Sequence, residues 1–188
     1  AGHTLFTAQT LPDGSLMVQK MGKPPTPTVM FGPMRFQVQC PSADETARVC
    51  GLVMQEAYNR TNQQIPYLAQ IGLNTEHEWI KPAFKPSRRW LAEQYVRKGL
   101  TLPSDGIVDV EATTLSFALV LTNPDRRYNI QLQPRAEKEN GVFAAINDHR
   151  EWNQAVPSRE VVAGLLEESV REIKTRVTPL ILGGVADA

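Results

Sequence analysis

The sequence predicts an α+β protein in which a mainly antiparallel sheet packs against about three helices, with a β-hairpin arm at its N terminus. Three observations predict this class. Turn residues separate short runs that alternate between apolar and polar side chains, which is typical of hairpin-connected strands. Three longer segments repeat apolar residues at helical spacing. Strands and helices fall in blocks rather than in strict alternation, which favours an antiparallel sheet.

The first element in the chain is a predicted β-hairpin. Residues 4–10 and 16–21 are strand-like, and a Pro-Asp-Gly turn at residues 12–14 separates them. Proline presets φ in such a turn, and glycine accepts positive φ. A proline-rich stretch follows, which favours an extended, semi-rigid linker. We therefore expect residues 1–27 to form a hairpin arm with its linker, and residues 28–188 to form a single α+β domain.

Three helices are predicted from apolar periodicity and from capping residues. Their ranges and N-caps are residues 43–62 after Ser42, residues 88–98 after Ser87 and residues 159–178 after Ser158. The first helix opens with a capping box, in which Ser42 and Glu45 satisfy each other's backbone N–H groups. The third helix is expected to end at Pro179, because proline cannot continue an α-helix.

Further strands are predicted where apolar and polar residues alternate between turn residues. These strands cover residues 28–31, 34–40, 115–121, 128–133 and about 142–146. Residues 63–86 show no clear period and contain three prolines, so no element is predicted there. No internal repeat or low-complexity tract is present.

Composition and charge limit the kinds of partner that this chain is expected to have. It carries 20 basic and 20 acidic residues, a formal net charge of zero. Duplex-binding domains usually carry a basic excess, so nucleic acid is not expected as the main partner. Zero net charge also gives little electrostatic protection against self-association. The expected partners are therefore other protein subunits, including copies of the same chain.

The two cysteines and the N terminus bear on the expected compartment. Cys40 and Cys50 form neither a CxxC pair nor a zinc spacing, so we expect two reduced, partly buried thiols. No apolar run approaches the ~18 residues of a membrane span. The chain begins Ala-Gly-His, which removal of an initiator methionine leaves, and so does cleavage of a leader. A cytoplasmic or virion-associated protein is slightly favoured.

One segment has the composition of an interaction surface, because cations alternate in it with aromatic residues. Its candidate partner-binding residues are Trp79, Lys81, Phe84, Lys85, Arg88, Arg89 and Trp90. Tryptophan and arginine dominate interface hot spots, which favours a protein anchor. The same composition suits a module that stacks the bases of a single-stranded nucleic acid. In a third interpretation, the aromatic side chains cap the core and the cations remain in water.

Two other groups of residues suggest a metal-dependent hydrolase or nuclease. Asp109 and Glu111 lie two apart on a predicted strand and so share a face, as in the first motif of DEDD-type exonucleases. That motif normally opens its domain, whereas Glu111 lies in the second half of this chain. His77 and His149 each lie among acidic residues, so together they suggest a two-histidine, carboxylate metal site or an acid–base pair.

The leading hypothesis is a non-catalytic structural or assembly subunit of a larger complex, for example a virion or a secretion machine. The sequence contains no glycine-rich phosphate loop, nucleophile elbow or dinucleotide fingerprint, and we expect no cofactor. The N-terminal hairpin arm is expected to add its edges to a neighbour's sheet.

Overall fold

The computed structural model describes residues 6–22, 26–32, 35–60, 67–96, 111–121, 125–155 and 157–183. The chain divides into two compact units. Unit 1 comprises residues 1–67 and 154–168, and unit 2 comprises residues 68–153 and 169–188. No described helix is both long enough and apolar enough to cross a membrane.

The described residues form eight strands and four α-helices. The strands are β1 (Phe6–Thr10), β2 (Leu16–Lys20), β3 (Thr28–Phe31), β4 (Phe36–Gln39), β5 (Tyr67–Ile80), β6 (Leu115–Val120), β7 (Arg126–Pro134) and β8 (Gly141–Ala155). The helices are α1 (Ala43–Arg60), α2 (Ser87–Tyr95), α3 (Arg159–Glu172) and α4 (Thr178–Ile181). A 3-10 turn covers Pro82–Phe84, and a π turn covers Ile173–Val177.

The predicted α+β class, with antiparallel strands and an N-terminal hairpin, is confirmed. The described strands form two sheets of four strands each. Sheet A has the order β1-β2-β3-β4, and sheet B has the order β5-β8-β7-β6. Each strand of sheet A pairs with its neighbour in sequence, whereas β5 of sheet B pairs with the distant β8.

The hairpin turn of sheet A has the geometry that its residues predict. Gly14 adopts φ +80°, a conformation that side chains disfavour, and Ser15 N–H donates to Asp13 Oδ1 at 2.9 Å. Strand β2 also pairs with β3, so the hairpin belongs to a four-stranded sheet. The domain boundary predicted at residue 27 stays a prediction, and residues 23–25 of its linker lie outside the described residues.

Helix α1 begins at the predicted cap. The Ser42 hydroxyl accepts a hydrogen bond from Glu45 N–H at 3.2 Å, which satisfies one of the free donors of the first turn. Later in this helix, Gly51 faces the side chain of Arg159, at the start of α3. A Cβ at Gly51 would lie 3.1 Å from Arg159 Cβ, so glycine allows the two helices of unit 1 to approach closely.

The core of unit 2 lies on one face of sheet B. Alternate residues of β7 and β8 point into it, and α2, the π turn and α4 pack against them. Tyr128, Ile130 and Leu132 supply the β7 side and are at most 2% exposed. The Tyr95 hydroxyl at the end of α2 donates to the Ile181 carbonyl in α4, which ties the two helices together.

Helix α2 begins one residue earlier than predicted. Ser87 is its first helical residue rather than its N-cap, and Pro86 occupies the cap position without a side-chain hydrogen bond. Ser87 is buried, and its N–H donates to the Glu139 carbonyl at 2.7 Å. The contact with the loop before β8 therefore satisfies one of the four free N–H donors of the first turn.

The third predicted helix continues past Pro179, where it was expected to end. Ser158 caps α3 as predicted, accepting from Val161 N–H at 3.4 Å. After α3, a π turn intervenes, in which Thr178 N–H donates to the Ile173 carbonyl five residues earlier. A new α-helical turn starts at Thr178, so Pro179 falls in its first turn, where the missing N–H needs no partner.

Candidate functional site

The aromatic side chains of the segment from Trp79 to Trp90 belong to the core of unit 2. Phe84 is 0% exposed and Trp90 is 7% exposed, and their ring centroids lie 4.4 Å apart. Trp79, near the end of β5, is half-buried and packs against the same core. A partner cannot reach the Phe84 and Trp90 rings without opening the fold. These two side chains therefore stabilise the fold.

The cations of this segment remain accessible. Lys85, Arg88 and Arg89 are exposed, and Lys81 is half-buried. Lys85 Nζ lies 3.2 Å from Glu139 Oε2 in an ion pair whose two side chains are well exposed. A partner-binding role for the segment stays a prediction, and any contact would have to use these cations. Base stacking is not available to the two buried rings.

The two histidines of the proposed metal site lie on opposite faces of sheet B. Asn147 Nδ2 donates to Asn74 Oδ1 at 2.9 Å, so both residues lie on the same face of β5 and β8. This is the face that points away from the core of unit 2. His149 is two residues from Asn147 and shares that face. His77 is three residues from Asn74 and lies on the core face, where its ring stacks on Trp79. The sheet therefore separates the two imidazoles.

Each histidine is paired with a local side chain. His77 Nε2 lies 3.1 Å from Thr75 Oγ1, and burial lowers the pKa of His77, so its imidazole is neutral at pH 7. His149 Nε2 lies 3.3 Å from Glu151 Oε1, which also accepts from Gln70. Among the described residues, no three His, Cys, Asp or Glu side chains form a group that could hold a metal ion.

The acidic residues of the enzyme hypothesis have separate surroundings. Asp109 lies outside the described residues, and Glu111 is exposed just before β6. Glu78, which follows His77, binds Arg135 Nε at 3.1 Å and Lys138 Nζ at 3.2 Å. These hydrogen bonds, that of Arg135 first, lower the pKa of Glu78. Within the described part of the chain, neither Glu78 nor Glu111 forms a metal-binding group with both histidines.

Both cysteines are free and half-buried, as predicted. Burial raises the pKa of the Cys50 thiol to about 11, and burial also raises the pKa of Cys40. The thiolate is the nucleophilic form of cysteine. Cys50 is therefore almost entirely protonated at neutral pH and is a weak nucleophile.

A buried charge network, which the sequence analysis did not predict, joins β7 to β8. Asp148 is 0% exposed, and its two carboxylate oxygens accept from Arg126 Nε at 2.8 Å and from an Arg126 terminal nitrogen at 2.7 Å. Arg150 donates to the same carboxylate at 2.8 Å. Residues 126 and 148 lie close to opposite positions in the strand pair, since Arg126 pairs with Arg150 and Tyr128 pairs with Asp148. The register therefore creates this bidentate pair.

The network continues from the sheet to α3. The Tyr128 hydroxyl donates to Glu172 Oε2 at 2.7 Å and accepts from Arg126 at 2.8 Å. Burial, and then the hydrogen bond to Glu172, raise the pKa of Tyr128, so the hydroxyl stays protonated. A terminal nitrogen of Arg126 also lies 3.1 Å from Glu172 Oε2. Each polar group thus has an opposite charge or a hydrogen bond, as burial requires.

A groove of about 270 Å³ lies beside this network, on the core side of sheet B. Its lining comprises residues 118–121, Tyr128, Arg176, Val177 and Leu180. Leu180 is apolar and 66% exposed, whereas the side chain of Val120 points to the opposite face of the sheet. Arg176 provides a cation at the rim, where it lies 3.8 Å from Glu172. The groove is therefore an open apolar surface with one basic side.

The charge network makes the stability of unit 2 depend on pH. Burial opposes ionisation of Asp148, but hydrogen bonds from Arg126 and Arg150 outweigh it and hold its pKa below the usual value. The carboxylate therefore stabilises the fold above the unfolded pKa of about 3.9, and this contribution is lost as pH falls through the lower folded pKa. We expect the difference in unfolding free energy between wild type and Asp148→Asn to shrink below about pH 4. Urea denaturation across pH measures it, and a constant difference contradicts the expectation.

Sheet A in unit 1 carries an apolar face that is not buried. The pairing register places on one face Phe6, Ala8, Leu16, Val18, Val29, Phe31, Phe36 and Val38. None of the residues in β1 to β4 is buried, and Phe6, Leu16 and Phe31 are 59%, 40% and 38% exposed. An antiparallel sheet commonly packs one face on a core. This face is therefore an apolar surface available for contact.

No family model, curated protein or solved structure matches this chain. The apolar face of sheet A, the groove beside β6 and the buried charge network are therefore the features from which a function can be inferred. The first two are exposed, whereas the third is enclosed.

Proposed function

We propose that this chain is a non-catalytic assembly subunit that binds other copies of itself through protein–protein contacts. The observation that carries the proposal is the exposed apolar face of sheet A. Contiguous exposed apolar patches on a protein surface mark interaction sites. Burying this face against another subunit would give sheet A one buried face and one solvated face, as is common in antiparallel sheets.

A comparison of burial energy with the cost of association indicates that the contact must bury most of this face. Burying one fully exposed large apolar side chain contributes about 1.5–3 kcal/mol. Phe6, Leu16 and Phe31 are 59%, 40% and 38% exposed, so together they contribute roughly 2–4 kcal/mol when fully covered. Association costs about 4–15 kcal/mol in lost translational and rotational freedom. Three side chains are thus insufficient for tight binding, and the half-buried Val18 and Phe36 must also enter the contact.

The chemistry of the face favours a second copy of this chain as the partner. Lys20, at one margin, is the one charged residue on that face within strands β1 to β4. The face can therefore meet a surface of a second copy with little electrostatic repulsion. The chain as a whole has a formal net charge of zero, so long-range repulsion between copies is also small.

Replacing Phe31 with glutamate tests this proposal. A carboxylate between Leu16 and Phe36 on the apolar face must be desolvated in the contact, so we expect Phe31→Glu to remain monomeric at concentrations where the wild type assembles. Mass measured by light scattering over a range of concentrations gives the readout. The matched control is Gln37→Glu, which adds the same charge to an exposed residue on the polar face of sheet A and should assemble like the wild type.

Circular dichroism must show that both variants keep the wild-type fold. Loss of assembly in Phe31→Glu alone supports the proposal. A wild-type chain that stays monomeric at every concentration, or a Phe31→Glu chain that assembles as well as Gln37→Glu, contradicts it.

A further inference from the structure

We infer that β1 of one copy adds to β6 of a second copy as an antiparallel strand and places Phe6 in the groove beside Tyr128. This inference rests on the proposed assembly function and names the contact that would produce it. Strand addition supplies main-chain hydrogen bonds to a sheet edge, and a pocket for an alternate side chain supplies specificity.

The acceptor is β6, which lies at one end of the described strand order in sheet B. Its sequence, Leu-Ser-Phe-Ala-Leu-Val, contains no charge and no proline. Charges, prolines and bulges are the devices that usually protect a sheet edge from pairing. An edge without them is suited to receive another strand.

The donor is β1, which lies at one end of the described order in sheet A. All five of its residues are exposed, and none is charged. Phe6 is 59% exposed, so its ring is accessible to a partner. Strand β1 and strand β6 differ in length by one residue, so their edges can pair along nearly their whole length.

An antiparallel register joins the two strands with matched side chains. Phe6 falls opposite Leu119, which lines the groove, and the small Ala8 falls opposite the large Phe117. Thr10 then falls opposite Leu115. The two remaining pairs, on the other face, are Thr7 with Ala118 and Gln9 with Ser116. A parallel arrangement would instead place Phe6 at the far end of β6, away from the groove.

The groove suits an aromatic side chain better than a separate small molecule. Its volume of about 270 Å³ lies below the ~300–1,000 Å³ of typical ligand pockets. Leu180 offers an apolar contact that is now exposed to water. The Arg176 guanidinium at the rim can lie over an aromatic ring, which is a favourable cation–π arrangement.

The same contact explains the exposed face of sheet A. Phe6 shares that face with Leu16 and Phe31, through the pairing of β1 with β2 and of β2 with β3. With Phe6 opposite Leu119, this face continues the core side of the neighbour's sheet B. Strand addition therefore covers the Phe6 margin of the apolar face.

The contact is heterologous, because a donor edge on one copy meets a different, acceptor edge on the next. Such contacts build a closed ring or an open filament rather than an isologous dimer. Each copy retains one free donor and one free acceptor until the assembly closes. This property makes the inference testable by mixing two defective variants.

The test uses Phe6→Lys, which blocks the donor, and Leu180→Lys, which blocks the acceptor next to Arg176. Each variant alone should remain monomeric at concentrations where the wild type assembles, because it keeps only one of the two edges. An equimolar mixture should form a complex with twice the mass of one copy, since the intact β1 of one variant fits the intact groove of the other. Light scattering measures all three masses.

Two matched controls add a lysine to exposed residues away from the groove. Thr7→Lys lies on the other face of β1, and Val170→Lys lies on α3, where Val170 is 46% exposed. Val170→Lys should assemble as the wild type does, and Thr7→Lys should assemble more strongly than Phe6→Lys. Circular dichroism checks that all four variants are folded, as the exposure of these residues predicts.

The outcomes separate this inference from the proposed function. A wild type that assembles, together with a mixture that stays monomeric, overturns the strand addition and leaves the assembly function standing. Assembly by Phe6→Lys or by Leu180→Lys alone also overturns the strand addition. A wild-type chain that is monomeric throughout overturns both. A synthetic peptide with the sequence of residues 6–10 should dissociate the wild-type assembly, and failure at saturating peptide counts against the groove.

Discussion

Replacing Asp148 with alanine is expected to lower the free energy of unfolding by about 3–5 kcal/mol, because it removes one partner of a buried ion pair. Asp148 is 0% exposed, and the Arg126 side chain is only 10% exposed. Loss of the carboxylate leaves the Arg126 charge with Glu172 as its remaining acidic partner in the network, while water has little access to it. Urea denaturation followed by circular dichroism measures the change.

The matched control for this prediction is Glu78→Ala. Glu78 also binds two cations, Arg135 and Lys138, but all three side chains are between 32% and 47% exposed. Exposed ion pairs contribute about 0–1 kcal/mol, since water replaces the lost partner. Equal losses in the two variants would show that burial does not set the strength of the Asp148 network.

Replacing Phe84 with alanine is expected to have an effect of similar size on the fold. Large-to-small substitutions of this kind in a core cost about 3–5 kcal/mol, through lost transfer energy and through the cavity that they leave. Phe84 is 0% exposed and packs on Trp90 in the main core of unit 2. Thermal or urea denaturation gives the readout.

The neighbouring Arg88→Ala serves as the control, because Arg88 is exposed on α2. Surface substitutions of this kind usually change stability by less than about 0.5 kcal/mol. A small effect of Phe84→Ala would mean that the ring is not a core residue and is available to a partner. The comparison therefore separates a structural role of the aromatic residues from a binding role of the cations.

Local chemistry allowed part of the fold to be predicted from sequence. The N-terminal turn follows from Asp13 and Gly14, and the start of α1 follows from Ser42. In each case a short side chain satisfies the backbone a few residues away, so the signal is complete within one segment. Ser158 acts in the same way at the start of α3.

Elements that depend on distant partners were not predictable in this way. Strand β5 alternates between two faces, but Thr75 and His77 occupy positions on the core face, so its apolar period is weak. Its pairing with β8 stabilises it as a strand, which the local sequence does not predict. The π turn that allows the chain to pass Pro179 likewise has no local signature in the sequence.

The candidate sites likewise depend on contacts between residues that are distant in the sequence. The Trp79–Trp90 composition suggested a surface, yet burial is decided by packing against β7 and β8, which lie far along the chain. Arg126 and Asp148 are 22 residues apart, and only the hairpin register brings them together. The alternation of polar and apolar residues from 126 to 132 and from 142 to 148 was the available signal, because it places both charges on the apolar side.

The position of β5 in sheet B has a consequence for the order in which unit 2 folds. Strands β7 and β8 are joined by a short loop, so their hydrogen bonds form after the closure of few residues. Strand β5 instead meets β8 across a large separation, since Thr75 Oγ1 donates to the Ile146 carbonyl 71 residues away. Closing that loop costs chain entropy before any contact repays it, which slows folding. We therefore expect the β7–β8 hairpin to form first and β5 to pair with it later in folding.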